Sequence, residues 1–250
     1  MSNSVVELFA GVGGFHLAAK QSGWNVIWAN QWEPGVKVQH AFDCYTKNFP
    51  DTVAVNDDIA NVISDIPKHD LLVGGFPCQD YSVAATKAKG IQGKKGVLWW
   101  EIAKVLSSKK PKYVLLENVD RLLKSPTLQR GRDFAIMLAT FDELGYSVEW
   151  RVINAADYGM PQRRRRVFIM GYAPGTPQYE SLKDEGNIKQ WMEKDGPFAK
   201  AFPINPLNVL FAHPYQIKGP KDKDLVDVSD NFNKGANPKA KSPFKKSGVM

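Results

Sequence analysis

Short apolar strands alternate with segments of helical spacing along most of this chain, and that alternation is its strongest constraint on the fold. We predict strands at residues 5–9, 25–30, 53–55, 70–73, 112–116, 146–152 and 166–171. Helices are expected from about Phe15 to Gly23 and over residues 34–48, 98–106 and 132–144. Repeated βαβ units build a sheet that helices cover on both faces. The predicted fold class is therefore α/β, with a doubly wound, mostly parallel sheet.

The pattern changes after Gly171, where prolines recur and amphipathic periodicity is weak. We expect a compact domain over residues 1–173. Residues 174–250 are expected to be a connector and the incomplete start of a second domain, with too little periodicity to form a core of their own.

Composition and charge argue against a membrane-spanning or disulfide-rich protein and favour one that binds a polyanion. The 250 residues carry a formal charge of +7, and no apolar run is long enough to span a bilayer. The N-terminus has no charged segment typical of a signal peptide. Two cysteines, Cys44 and Cys78, are too few for a disulfide framework or a metal cluster, so no metal and a reducing cytoplasm are expected. Clustered lysines and the run Arg163–Arg166 favour a polyanion partner, with nucleic acid as the first candidate.

Ligands of such sheets bind beyond the carboxyl ends of the strands. A glycine-rich turn with Gly11, Gly13 and Gly14 follows the first strand and leads into a helix, so its backbone N–H groups can face a ligand. His16 stands where the dinucleotide fingerprint needs a third glycine. A nucleoside with a polar tail in the turn is therefore favoured over a pyrophosphate, and a tight turn without a ligand remains the alternative.

Polar residues follow the next two strands. Gln31 has the geometry to bond ribose hydroxyls, and Trp32 can pack on a ribose or purine. Asp58 is placed to bond an exocyclic amine while Ile59 packs against a base. Each signal is weak alone, because strand ends are commonly polar.

Two further strand ends carry reactive groups. Pro77 restricts the chain as it enters Cys78 at a strand-to-loop junction, which suits an exposed nucleophile, although buried space-filling is the commoner role of cysteine. Glu117 ends a hydrophobic strand and is suited to hold or donate a proton, with a helix cap or an ion pair as the alternative. In the arginine run, alternate side chains should face opposite sides of a strand. We assign Cys44 and His16 to packing.

In this order, the segments 9–14, 75–79, 117–119 and 162–166 closely resemble the cofactor, nucleophile, proton-donor and Gln-x-Arg-x-Arg motifs of the cytosine-5 DNA methyltransferase family. The resemblance implies an S-adenosylmethionine-dependent methyltransferase fold that acts on double-stranded DNA, in a bacterial or phage restriction-modification setting. The Cys78 thiolate would add to C6 of a flipped cytosine, Glu117 would protonate N3, and Arg164 and Arg166 would orient the base.

The resemblance also assigns binding residues. The S-adenosylmethionine pocket would be lined by Phe9, Gly11, Gly13, Gly14, Gln31, Trp32, Asp58, Ile59, Pro77 and Leu98. DNA would be contacted by Gln79, Ser82, Lys87, Lys89, Lys94, Lys95 and Gln162.

The chain departs from the family pattern in two ways. Gln31 replaces a glutamate, and no recognition domain or late motif precedes Met250. We expect a naturally split or a truncated enzyme, with a second polypeptide that supplies the missing part. Two alternatives remain: a tRNA cytosine-5 methyltransferase, against which Phe76 argues because that branch has a second proline there, and a non-catalytic module that binds S-adenosylmethionine or DNA.

Overall fold

A computed structural model describes residues 3–77, 98–125, 130–203 and 242–250 of the chain. These residues divide into two compact units. The first contains the residues up to 76 together with 98–116, and the second contains Pro77 and the residues from 117 onward.

The described strands form a sheet in the order β3-β2-β1-β4-β5-β7-β6-β8. In the first unit β1 pairs in parallel with β2 and with β4, and β2 pairs in parallel with β3. In the second unit β6 pairs antiparallel with β7 and with β8. The strands are β1 (Ser4–Leu8), β2 (Asn25–Asn30), β3 (Val53–Val55), β4 (Leu71–Gly75), β5 (Tyr113–Val119), β6 (Ser147–Asn154), β7 (Arg165–Tyr172) and β8 (Ser247–Val249).

Helices connect these strands, as the α/β prediction requires. The α-helices are α1 (Gly14–Gln21), α2 (His40–Asn48), α3 (Ile59–Val62), α4 (Leu98–Lys109), α5 (Arg132–Glu143), α6 (Pro177–Lys183), α7 (Ile188–Gln190) and α8 (Pro197–Ala201). A π-helical turn, Trp191–Asp195, continues α7. Single 3₁₀ turns lie at Ile63–Asp65, Asp120–Lys124, Ala155–Tyr158 and Glu185–Asn187. No helix in the described part of the chain is long and apolar enough to cross a membrane.

Strand β1 lies in the interior of the first unit, and all five of its residues are buried. Val5 packs with Ala19 of α1, Val26 of β2 and Val73 of β4 in one cluster. A strand with parallel neighbours on both sides and helices on its faces is expected to be apolar throughout. The exceptions are Ser4, the first residue of the strand, and Glu7, a charged residue type with no exposed surface.

The helix predicted over residues 34–48 is wrong in its first part, because α2 begins only at His40. Gly35 adopts φ +78°, which a right-handed helix cannot contain. The Gln39 side chain accepts a hydrogen bond from the Glu33 N–H at 2.8 Å and donates to the Glu33 and Val36 carbonyls at 2.9 Å. These local bonds satisfy backbone groups that a helical turn would otherwise pair.

Residues 174–250 are expected to form no core of their own, and in their described part several side chains are buried in the unit that contains β6. Leu182, Trp191 and Phe198 are all less than 10 % exposed, and β8 pairs along β6. These residues belong to the same compact unit as β6 and β7. The domain boundary at residue 173 stays a prediction. That residues 174–250 begin a recognition domain stays a prediction.

Candidate active site

The glycine turn after β1 has the backbone conformation that a ligand-binding turn requires. Phe9, Gly11 and Gly13 have φ values of +54°, +57° and +93°. A positive φ costs a residue with a side chain free energy, so its presence at Phe9 points to a functional constraint. A Cβ built on Gly11 or Gly14 would meet no atom within 4 Å. The turn therefore leaves open space beside its backbone N–H groups and the N-terminus of α1.

Gln31, at the end of β2, supports this turn directly. Its Oε1 accepts a hydrogen bond from the Gly11 N–H at 2.7 Å, and its own backbone N–H donates to the Val55 carbonyl at 3.1 Å. The side-chain oxygen that we expected at a ribose is thus bonded to the turn. A ribose contact stays a prediction, and it would use the amide NH₂ donors.

Two asparagines that the sequence analysis did not select join the loops after β2 and β3. Asn30 Nδ2 donates to the Asp57 carbonyl at 2.8 Å, and Asn56 Nδ2 donates to the Gln31 carbonyl at 2.6 Å. Asn30 is 2 % exposed. The sequence carried one signal for Asn30: a primary amide at the end of an apolar strand is expected to be buried, and a buried amide must form hydrogen bonds.

The remaining predicted cofactor residues of this unit lie on the same loops or at a helix start. Trp32 is 38 % exposed, so its ring is available to a ligand. Asp58 caps α3, with Oδ1 accepting from the Ala60 N–H at 3.0 Å, and Ile59 is buried. Leu98 is the half-buried first residue of α4. Open turn glycines, an exposed aromatic ring and a partly exposed carboxylate together fit S-adenosylmethionine.

In the second unit the structure brings Glu117 and Arg166 together. Arg166 Nε lies 2.7 Å from Glu117 Oε1, and the two side chains are 24 % and 21 % exposed. Glu117 lies within β5 rather than after it, and Arg166 is the second residue of β7. The carboxylate is held through one oxygen by a charged donor, which leaves the other oxygen for a different partner.

The other arginines of the run differ from Arg166 in their partners. Arg165 Nη2 lies 2.9 Å from Asp120 Oδ2, so Arg165 and Arg166 bind different acids. That alternate arginines face opposite sides of the strand stays a prediction. Gln162, Arg163 and Arg164 precede β7 and are exposed. Because they are exposed, these side chains are accessible to a nucleic acid, and their contact with one stays a prediction.

Several predicted residues lie outside the described part of the chain: Cys78, Gln79, Ser82, Lys87, Lys89, Lys94 and Lys95. Pro77, the last described residue before them, is exposed, whereas Phe76 is buried with its ring 6.3 Å from that of Trp99. Within the described residues no group of His, Cys, Asp or Glu has the arrangement of a metal site.

Comparison with known proteins agrees with these features. The profile of the C-5 cytosine-specific DNA methylase family matches residues 3–238. The chain belongs to this family. It is similar to the type II methyltransferase M.Sau3AI of Staphylococcus aureus, with 53 % identity over 238 residues that cover 92 % of this chain and 57 % of M.Sau3AI. Type II methyltransferase M.NgoBI of Neisseria gonorrhoeae is 37 % identical over 192 residues, covering 76 % of this chain and 57 % of that protein.

Among solved structures, the Dnmt2 methyltransferase of S. pombe shares the fold with a TM-score of 0.56 at 17 % identity. That match covers 86 % of this chain and 69 % of the Dnmt2 chain. The C-5 methylase family uses S-adenosylmethionine as its methyl donor. The chain spans little more than half the length of M.Sau3AI and of M.NgoBI.

Proposed function

We propose that this chain carries the catalytic part of a DNA (cytosine-5)-methyltransferase. The observation that carries the proposal is the pair of Glu117 and Arg166, 2.7 Å apart. It joins the proton-donor and Gln-x-Arg-x-Arg motifs, which are distant in sequence. A fixed positive charge lies beside a carboxylate whose other oxygen has no bonded partner among the described residues. Such an arrangement suits a nucleobase in which a ring nitrogen must be protonated while the neighbouring carbonyl oxygen accepts a hydrogen bond.

The first unit supplies the cofactor site in this proposal. S-adenosylmethionine would rest its amino-acid portion in the turn at Gly11–Gly14, with Trp32 against the ribose or adenine and Asp58 at the exocyclic amine. The cofactor provides an electrophilic methyl group. Gln31 holds the turn and offers its NH₂ donors to the ribose.

The chain's own residues perform the remaining steps. The Cys78 thiolate adds to C6 of a flipped cytosine, and the electron pair moves into the ring. Glu117 delivers a proton to N3, so the ring does not accumulate negative charge before C5 takes the methyl group. Loss of the C5 proton then expels the thiolate. Arg166 keeps Glu117 oriented, while Arg164, Gln162 and the basic residues after Cys78 contact the DNA.

A covalent trap tests this proposal. DNA that contains 5-fluorocytosine lacks the C5 proton, so the elimination step cannot occur and the protein stays bonded to C6. With S-adenosylmethionine we expect a protein–DNA adduct that survives denaturant. Cys78→Ser should abolish the adduct, whereas Cys44→Ser should preserve it.

The same assay distinguishes the alternatives. An adduct that forms equally with Cys78→Ser would contradict the assigned nucleophile. Competition by tRNA but not by duplex DNA would favour the tRNA substrate, and no adduct with either nucleic acid would favour a non-catalytic module.

We further propose that DNA recognition needs protein beyond these residues. The relatives M.Sau3AI and M.NgoBI are each only 57 % covered by the match. The remainder, in the same chain or in a second polypeptide, would add a recognition domain that begins within residues 174–250. These bacterial relatives support a restriction-modification role in the cytoplasm of a prokaryotic cell.

Addition of the missing part tests this second proposal. The 250-residue chain alone should bind DNA with strong salt dependence and little sequence preference, and it should methylate slowly. The corresponding C-terminal part of M.Sau3AI, supplied in trans, should raise the methylation rate. Rapid, sequence-specific methylation by the 250-residue chain alone would overturn the proposal.

Gln31 offers a direct test of the cofactor site. Gln31→Ala removes the acceptor of the Gly11 N–H and should weaken S-adenosylmethionine binding by about 1–2 kcal/mol. Gln31→Glu keeps an acceptor for that N–H and should be tolerated. Calorimetry that shows no change in either variant would place the pocket elsewhere.

A further inference from the structure

A chain of three buried polar side chains lies beneath the glycine turn. The Tyr45 hydroxyl of α2 donates to Glu7 Oε2 of β1 at 3.1 Å, and it lies 2.8 Å from His16 Nδ1 of α1. Glu7 and Tyr45 have no exposed surface, and His16 is 8 % exposed. The backbone N–H groups of Phe15 and His16 also face the Glu7 carboxylate. The hydroxyl of Tyr45 therefore links the strand before the turn to the helix after it.

The same side chains hold an aromatic ring against the turn. The His16 ring stacks on Phe49 with centroids 3.7 Å apart and planes 17° apart, and the Tyr45 ring lies 4.9 Å from Phe49. A Cβ on Gly13 would lie 2.2 Å from Phe49 Cε2. The Phe49 ring thus occupies the space beside Gly13, and any movement of His16 changes the support of the turn.

Among the described residues, few titratable groups act on Glu7. His16 faces it from α1 and Tyr45 from α2, and Lys20 acts on His16 from one turn further along α1. Its register neighbours on β2 and β4 are Ala29 and Val73, which carry no charge. Burial raises the pKa of Glu7 to about 7, with the Tyr45 hydrogen bond opposing that shift, and burial lowers the pKa of His16.

We propose that Tyr45 is a positioning residue of the cofactor site, whose hydroxyl joins Glu7 to His16 and thereby fixes the conformation of the turn at residues 9–14. The proposal rests on the assignment of this turn to S-adenosylmethionine. Tyr45 need not touch the cofactor, because it acts through α1 and through the Phe49 ring against Gly13.

The hydroxyl is suited to this task because it both donates and accepts. With Glu7 ionised, His16 Nδ1–H donates to Tyr45 and Tyr45 donates to Glu7. With Glu7 protonated, the direction of both bonds reverses and the chain stays connected. The affinity of the natural chain for cofactor should therefore change little between pH 6.5 and 8.5.

Tyr45→Phe tests the proposal, since it removes one oxygen and keeps the ring. At pH 7.5 we expect calorimetry to show S-adenosylmethionine binding roughly three- to tenfold weaker, as expected for two lost hydrogen bonds among buried polar groups. The loss should be smaller at pH 6.5 and larger at pH 8.5, because the Tyr45 hydrogen bond favours the ionised form of Glu7, which becomes populated as pH rises. Tyr113→Phe is the matched control, as the ring of Tyr113 contacts Trp24 and no described residue bonds its hydroxyl.

His16→Phe provides a second variant, which keeps a ring on Phe49 and removes the bond to Tyr45. It should also weaken binding several-fold. Binding by Tyr45→Phe that equals that of Tyr113→Phe, or a loss that is the same at all three pH values, would overturn the proposal, as would unchanged binding by His16→Phe. These results differ from failure of the proposed function, in which the natural chain forms no adduct with 5-fluorocytosine DNA.

Discussion

Arg151 of β6 offers the sharpest test of how the second unit is held together. It is 2 % exposed and donates to three backbone carbonyls: Met192 at 2.5 Å, and Phe198 and Phe202 at 3.2 Å each. Glu149, two residues earlier on the same face of β6, accepts from Trp191 Nε1 at 3.0 Å. Two buried charges on one strand thus fasten the segment that contains α7 and α8.

Arg151→Met keeps a long apolar side chain and removes every donor. Three buried carbonyls lose a charged partner, and the Glu149 carboxylate loses the cation that compensates it. Loss of one member of a buried charge pair costs about 3–5 kcal/mol. For a unit of this size the melting temperature should fall by roughly 2–4 °C for each kcal/mol.

Urea unfolding followed by tryptophan fluorescence measures this loss, and limited proteolysis within residues 177–203 locates it. The double variant Glu149→Gln, Arg151→Met buries no unpaired charge and should lose less than the sum of its single variants. Lys200→Met, an exposed change in the same segment, should be neutral. A loss below about 1 kcal/mol for Arg151→Met would refute the assigned role, since a neutral surface change costs no more.

Three further predictions concern single residues or pairs. Gly13→Ala should destabilise the first unit by about 2–4 kcal/mol, because Gly13 has a φ of +93° and the added Cβ would lie 2.2 Å from the Phe49 ring. Gly14→Ala should not, since its Cβ would meet no atom within 4 Å, and thermal melts compare the two variants. Asp120→Arg or Arg165→Asp alone should slow adduct formation. The double exchange should restore the rate, since it rebuilds the 2.9 Å ion pair with reversed charges. A double variant no faster than either single variant would show that this ion pair does not affect the reaction. Burial raises the pKa of Glu149 from its ordinary value of 4.5 to about 7, so between these pH values the folded state binds a proton that the unfolded state releases. The free energy of unfolding should therefore fall as pH rises from about 4.5 to 7. Glu149→Gln should flatten this slope in urea titrations at several pH values.

The sheet of the first unit could be predicted from sequence because its strands are short, apolar and separated by turn residues. The predicted strands at 25–30 and 53–55 match β2 and β3 at both ends. The glycine turn and Gln31 could be placed together, since carboxyl ends of parallel strands share an edge. Their 2.7 Å contact confirms that placement.

Long-range polar contacts explain most of what could not be predicted. In β6 the alternation of Val148, Trp150 and Val152 suggests that Glu149 and Arg151 face solvent, yet helices from residues 177–203 cover that face and bury both. Arg151 donates to backbone carbonyls of that segment, and Glu149 accepts from Trp191 and Tyr172. No periodicity of side chains reveals these partners. Assigning His16 to packing was correct for its stacking on Phe49, but its bond to Tyr45 depends on α2, whose start was misplaced.

Consecutive arginines of the run have different partners. β5 and β7 are neighbours in the sheet, and side chains alternate along a strand, so consecutive arginines of β7 cannot serve the same acid. Arg166 binds Glu117 within β5, while Arg165 binds Asp120 in the turn that follows β5. The end of β5 is therefore held at two points, which limits the positions that Glu117 can adopt. Arg163 and Arg164 lie before the strand and are exposed, so in our proposal they are the pair left for the phosphates of DNA.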